Sequence, residues 1–288
     1  MSKEQQAVSR RGFLTRVGAV ATGGALAVAG AGLIGAGVPK QSIAAPEPAA
    51  WPMPYQPLDP EETRKLGHSG YYEGQCSYGA FGAIVGQLQE KVGPPFTGVP
   101  LQMASYGEGG VAGWCTLCGA LNGACAAITL VCKDYKKLCD ELLKWYVQTP
   151  FPSDLSNQYA ADHSFLVDKY KSDKSLPQTV PESPLCHITV TRWCREHGYA
   201  SGSSERSERC ARISGDVVAF AVEMLNAYHG QGFAGAYDYS DGVNDCRACH
   251  KKGKDFDAGQ WTRGKMECGP CHVEGKVEVV GADHYPAE

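Results

Sequence analysis

The sequence predicts a mainly α protein, a helical domain with a C-terminal, largely irregular segment. Two observations carry this. Apolar residues recur at three- and four-residue spacing in stretches that open on cap residues and close on glycine. The tail from Asp245 to Glu288 is organised instead by two short motifs, Cys246-Arg247-Ala248-Cys249-His250 and Cys268-Gly269-Pro270-Cys271-His272.

The chain begins with an export signal. Ser9-Arg10-Arg11-Gly12-Phe13-Leu14 is a twin-arginine motif, and the run from Val17 to Val38 is apolar and rich in Gly and Ala. Ser42-Ile43-Ala44 offers small residues to a signal peptidase, so residues 1–44 are expected to be removed and the mature chain to reach the periplasm. About 20 apolar residues are also enough for an uncleaved anchor. Seven glycines between Gly18 and Gly37 make that a poor helix, so no membrane association is expected after cleavage. Twin-arginine export carries folded proteins, which hints at a cofactor loaded before transport.

The whole chain has 27 Lys and Arg against 31 Asp and Glu, and without residues 1–44 it keeps 22 and 30, a net charge of −8. Such a surface excludes nucleic acid as a partner. Lys251, Lys252, Lys254, Arg263 and Lys265 gather between the two tail motifs. They form either a solvated loop or a collar that steers an acidic redox partner.

Residues 45–60 carry six prolines and read as an extended arm. The helical domain spans 61–229. Asp59 and Pro60 suit a helix start, with Glu61 and Glu62 at the positive end of its dipole. Gly70 and Gly74 separate this run from a second, with Tyr78, Phe81, Ile84, Val85 and Leu88 at helical spacing and Cys76 at its start. Val92 to Gly110 reads as a loop. Val111 to Tyr146 is apolar enough for one long helix or two stacked ones. Residues 148–182 show little periodicity and are a candidate for partner or dimer contacts. A helix capped by Ser183, with Pro184 first, is expected to stop at Gly198, and another runs from Ser204 to His229 with Gly230 as its stop. The last helix is expected to bury Ile213, Val217, Phe220, Met224 and Leu225. Residues 230–288 form the tail.

Thirteen cysteines are present, and Cys118, Cys125, Cys132 and Cys139 stand seven residues apart, with Cys115 just before them. In a continuous helix these four form one stripe with members roughly 10 Å apart. Disulfides need Cα atoms within about 7 Å, so a helical stripe cannot bridge itself or share one small cluster. Cys125, Cys132 and Cys139 are therefore read as apolar packing. Cys186 is expected in a helical first turn, where free amides and the dipole favour a thiolate. Cys194, two turns on, is less favoured.

In C-x-x-C-H two thiols can close thioethers to the vinyl groups of haem c while the adjacent imidazole takes the iron. Cys246, Cys249, Cys268 and Cys271 are the attachment candidates, with His250 and His272 as proximal ligands. A zinc ribbon also uses paired C-x-x-C, but has no need of the histidine after each pair. A plain dithiol redox motif leaves the same histidines unexplained.

Gly74-Gln75-Cys76, Leu117-Cys118-Gly119-Ala120-Leu121-Asn122-Gly123-Ala124, Ser183-Pro184-Leu185-Cys186-His187, Trp193-Cys194 and Glu208-Arg209-Cys210-Ala211-Arg212 resemble the C_GCAxxG_C_C family of bacterial redox proteins. With two haem motifs appended, the chain is similar to dihaem cytochromes c of that kind over most of residues 60–288. The resemblance implies a homodimer with two haem c per chain packed close together, bis-histidine iron with an axial ligand from the other subunit, and a [2Fe–2S] iron–sulfur cluster in the helical part. Its cluster cysteines fall on Cys76, Cys118, Cys186 and Cys210, with Cys194 as substitute. The extra cysteines at 115, 125, 132 and 139 depart from the bare motif and leave the ligand set open.

Six histidines remain for the distal side of the irons. His229 lies just before the tail and His284 just after the second motif, so both are favoured. His187 follows a cluster cysteine and is expected to pack beside Cys186 or to support that ligand from behind, and His68, His163 and His197 are expected as surface residues, unless one of them serves the haem of a second subunit. Met224 and Met266 are weaker candidates. Two functional readings follow. Irons saturated on both faces make an electron carrier, working with periplasmic redox partners in anaerobic respiration. An iron with an open position makes instead a catalytic multihaem reductase of a small oxyanion or peroxide. Spare histidines favour the carrier, and no other acid–base constellation stands out. A thiol oxidoreductase is the third reading.

Overall fold

The computed structural model describes residues 50–272, except for the side chains of Pro270 and Cys271. Residues 1–44, expected to be an export signal, the start of the Pro-rich arm and His284 lie outside the described residues. Eight α-helices and no extended sheet make up what is described.

Helix α1, Pro60–Lys91, begins as the sequence predicts, with the Asp59 carboxylate accepting from the Glu62 amide at 2.7 Å. It breaks at Gly74 and Gln75, where Gln75 takes φ 68°. The chain folds back so sharply that Gly70 and Gly79 meet backbone to backbone; a Cβ on Gly79 would lie 2.6 Å from the Tyr71 nitrogen. Cys76 is thereby placed at the bend. The expected loop after α1 contains two 3₁₀ turns, Phe96–Gly98 and Leu101–Gly107.

The apolar stretch that follows is two helices, α2 (Gly119–Val131) and α3 (Tyr135–Gln148). Cys132 is extended at the break, and the arm supplies donors where α2 ends: Trp51 Nε1 donates to the Thr129 carbonyl at 2.7 Å and the Met53 amide to that of Leu130 at 2.8 Å. The single stripe of four cysteines does not form. Cys118 precedes α2, and the antiparallel return brings Cys139 on α3 back to Cys125, with its Sγ 4.0 Å from the Cys125 carbonyl. The spacing argument against contact between these thiols presumed a continuous helix, and the arm ends that helix.

Residues 148–182 hold a short helix α4, Asp154–Ala161, capped by Ser153, and an isolated bridge between Phe151 and Thr179. Helix α5 is Cys186–His197, closing on Gly198 at φ 72°. It starts later than the sequence implies because Ser183-Pro184-Leu185 is used elsewhere: Leu185 bridges Leu117 and the Pro184 carbonyl accepts from the Cys118 amide at 2.8 Å. Helix α6, Ser204–His229, has the predicted bounds and buries Ile213, Val217, Met224 and Leu225, while half-buried Phe220 stacks on Trp145. The tail contributes α7, Asp241–Cys249, and α8, Gly269–His272.

The core lies among both halves of α1, α2, α3 and α6. A buried polar seam ties α6 to its neighbours. Arg64 pairs with Asp216, and Arg212 pairs with Glu208 while donating to the Ser172 and Lys174 carbonyls. The tail is held on α3: Glu141 accepts from the Ala236 and Tyr237 amides, and Asp140 from Tyr239 and Lys265.

Candidate metal centre

Four thiols from four separate elements lie within electrostatic reach of one another. Cys76 comes from the bend of α1, Cys118 from the residue before α2, Cys186 from the first turn of α5 and Cys210 from the second turn of α6. The pairing of residues 115–118 with 184–187 aligns two of them: the Cys186 amide donates to the Thr116 carbonyl at 2.7 Å, and the His187 amide to that of Cys115 at 3.0 Å. Gly119 makes room for the third. A Cβ there would stand 2.2 Å from the Cys76 sulfur and 2.6 Å from the Gly107 carbonyl, so only glycine lets the thiol lie against the start of α2.

The thiols interact electrostatically with one another. Burial, and then the nearby Cys118 and Cys210, push the Cys76 thiol up to about 12. Burial raises Cys118 as well, with Cys210 adding to the effect. Cys186 is raised by burial and by Cys118, Cys210, Cys115 and Cys76 together. The expectation that a helical first turn favours a Cys186 thiolate is thus overturned: lost solvation and neighbouring sulfurs outweigh the dipole. Cys76, Cys118 and Cys186 resist ionisation without a cation, and with Cys210 beside them they suit a metal that displaces thiol protons as it binds. Among the described residues no three His, Cys, Asp or Glu side chains are already drawn together at metal-binding spacing. Loading the site therefore requires the sulfurs to turn inward.

Cys194 stands near Cys210 but its thiol does not share in the rest of the group. Cys125 and Cys139 form a separate hydrogen-bonded pair, in which Cys139 raises Cys125 and is itself lowered. Sequence reading missed the cationic and phenolic residues around the centre. Arg206 bonds to the Cys210 thiol, Tyr71 feels the charge of Cys210 and Cys76, and Tyr146 that of Cys118. The available signal was the placement of Arg209 and Arg212 on the apolar stripe of α6, where cations need a partner.

In the tail, Cys246 and Cys268 are half-buried, Cys249 is exposed, and both His250 and His272 are exposed. His250 Nδ1 lies 3.3 Å from the Gly259 carbonyl, which orients the ring and leaves Nε2 free to act as a ligand. Phe256 and Trp261 stand in the same segment at 76 % and 65 % exposure. An exposed Cys249 thiol, half-buried Cys246 and Cys268, an oriented imidazole and uncovered aromatic rings fit a haem attachment segment.

The remaining histidines divide. His229, at the end of α6, stacks on Tyr55 at 4.5 Å between ring centres, with Nε2 3.8 Å from the Cys132 sulfur. His187 is exposed rather than packed. His68 is not a surface residue: it is fully buried, bonded to Glu208 at 2.9 Å and stacked on Phe165. His163 pairs with Asp173 at 3.3 Å, and His197 bonds Thr179 at 2.9 Å.

Residues 76–224 match the family model described as "Putative redox-active protein (C_GCAxxG_C_C)". The "Split-Soret cytochrome c" of Desulfovibrio desulfuricans is 34% identical over 275 residues, covering 92% of this chain and 94% of that protein. A solved structure described as "A novel iron centre in the split-Soret cytochrome c from Desulfovibrio desulfuricans ATCC 27774" superposes with a TM-score of 0.66 at 33% identity, covering 78% of this chain and 92% of the other.

Proposed function

The chain belongs to the split-Soret cytochrome c family, and on that premise we propose that it is an exported dihaem electron carrier with an additional [2Fe–2S] centre. Cys246 and Cys249 hold one haem c and Cys268 and Cys271 the other, with His250 and His272 as proximal ligands. His229 and His284 are the proposed distal ligands, one position being filled across a homodimer. Taking that role requires His229 to leave Tyr55 and Cys132. Cys76, Cys118, Cys186 and Cys210 hold the cluster. The carrier works in the periplasm after twin-arginine export, in anaerobic respiration with other redox proteins.

Haem held by imidazole on both faces passes single electrons and offers no open position to a substrate. The chain's own part is placement. The Gly259 carbonyl fixes the His250 ring, and Asp140 and Glu141 moor the segment against α3. Exposed Trp261 and Phe256 supply apolar surface that a second subunit would cover, since so short a segment cannot enclose two macrocycles alone.

The observation that carries the reading is one chain bearing both two C-x-x-C-H motifs and a separate thiol group drawn from four elements. Pyridine haemochrome, total iron and acid-labile sulfide on the purified protein test it. Two haems per chain plus further iron with sulfide are expected from those motifs. A mass spectrum showing no attached macrocycle, or zinc in place of iron, overturns it. A spectrum that shifts on adding carbon monoxide would move the assignment to a reductase. Truncation before Asp245 should weaken self-association in sedimentation, and an equally tight truncated dimer would remove haem-mediated assembly.

A further inference from the structure

Arg209 is fully buried, one residue before Cys210 on α6. A guanidinium brings a positive charge and five N–H donors into the core. The other buried arginines of this body, Arg64 and Arg212, pair with Asp216 and Glu208. Arg209 has no such partner among the described residues. Its Nη2 donates to Thr189 Oγ1 at 3.2 Å, its plane lies 5.4 Å over the Trp193 ring, and Nε and Nη1 make no hydrogen bond.

A second buried polar group stands in the same condition. Tyr146 on α3 is fully buried, and its hydroxyl points toward both Cys118 and Thr189 without completing hydrogen-bond geometry to either. Arg209 and Tyr146 interact electrostatically, and Arg209 also acts on Cys194. Thr189, 2 % exposed, is the common neighbour. A phenol with an idle proton therefore stands beside Cys118, and a cation with two idle donors stands beside that phenol and next to Cys210 in the chain. Both are expensive to bury unless an anion arrives.

We infer that Arg209, Thr189 and Tyr146 are positioning residues for the centre: Arg209 is its buried counter-charge, and Tyr146 donates a hydrogen bond to the Cys118 sulfur once that sulfur is a thiolate. This rests on the proposed centre and extends it. Metal binding would turn four neutral thiols into a net negative group. The two idle donors of Arg209 and the idle proton of Tyr146 would then be satisfied together. Hydrogen bonds and positive charge near the sulfurs favour the reduced, more negative state.

The inference predicts a reversal of sign that a merely structural arginine would not give. In the full dihaem chain stripped of non-haem iron by chelator, Arg209→Met should raise the melting temperature, because an uncompensated buried charge is removed. In the loaded chain the same substitution should lower it, reduce iron and sulfide per chain, and shift the centre to a more negative potential while the haem potentials hold. Arg209→Lys should keep more of the iron than Arg209→Met. Tyr146→Phe should keep the iron and still shift the centre negative. A loaded Arg209→Met protein with wild-type iron, sulfide and potential overturns the inference, as does a melting temperature lowered equally in both states. A wild type with no iron beyond its haems removes the centre itself, and the inference with it.

Discussion

Gly119 stands so close to Cys76 that a methyl group on it would lie 2.2 Å from the Cys76 sulfur. The bend of α1 and the start of α2 therefore share one space that only a hydrogen atom fits. Gly119→Ala must push the thiol away or part the helices, at a cost of about 1–3 kcal/mol. We expect a lower denaturation midpoint together with less non-haem iron per chain. Loss of stability with full iron would show that Cys76 is not among the ligands.

Single serine substitutions at Cys76, Cys118, Cys186 and Cys210 should each deplete non-haem iron and sulfide without changing haem content. The double variant Cys125→Ser with Cys139→Ser should leave both unchanged, because that pair faces itself across α2 and α3. In the native protein, iodoacetamide near neutral pH should label Cys139 before Cys125, since hydrogen bonding lowers Cys139 while Cys139 and burial raise Cys125. Equal labelling would remove the hydrogen bond from consideration.

Acid should destabilise the helical body through the His68 and Glu208 pair. Burial holds the His68 pKa below its ordinary value, so the ring is neutral and donates Nε2–H to the carboxylate. Burial raises Glu208, but hydrogen bonds from His68 and Tyr72 and the charge of Arg212 more than offset this and hold it below the ordinary range. Both groups bind protons more readily unfolded than folded. Their contribution is thus complete above the unfolded histidine value of about 6.5 and declines as pH falls. Urea midpoints measured from pH 7 to pH 5 should fall, and His68→Gln should flatten that slope; an unchanged slope would assign the acid sensitivity elsewhere.

Glu208→Gln leaves Arg212 in the core without its carboxylate. The expected loss is about 3 kcal/mol, read from urea unfolding. A loss under about 1 kcal/mol would mean that the Ser172 and Lys174 carbonyls and Asn157 suffice to hold the guanidinium.

Local signals make several elements legible in the sequence. Asp59 and Pro60 announced α1, Gly230 closed α6, and Gly74 marked the bend that presents Cys76. Those signals act within a few residues, so the sequence carries them directly. The end of α2 is different. The chain has neither Gly nor Pro between Ala124 and Gln148; Trp51 and Met53, about 80 residues earlier, donate where the helix stops. That long-range contact turned a predicted stripe of cysteines into a thiol pair. At the centre, the resemblance named four cysteines whose thiols the fold sets within electrostatic reach of one another, short of metal-binding spacing. Arg209 and Tyr146 went unseen because their significance lies in what they fail to bond.

Helix α3 touches both sites. Asp140 and Glu141 grip the tail, and Tyr146, about 8 Å further along the axis, reaches Cys118. In the proposed carrier, one helix thus links the mooring of the haem segment to the thiol centre. Relaxing that helix would detune both ends together, whereas changes in the loops around it would leave the link as it is.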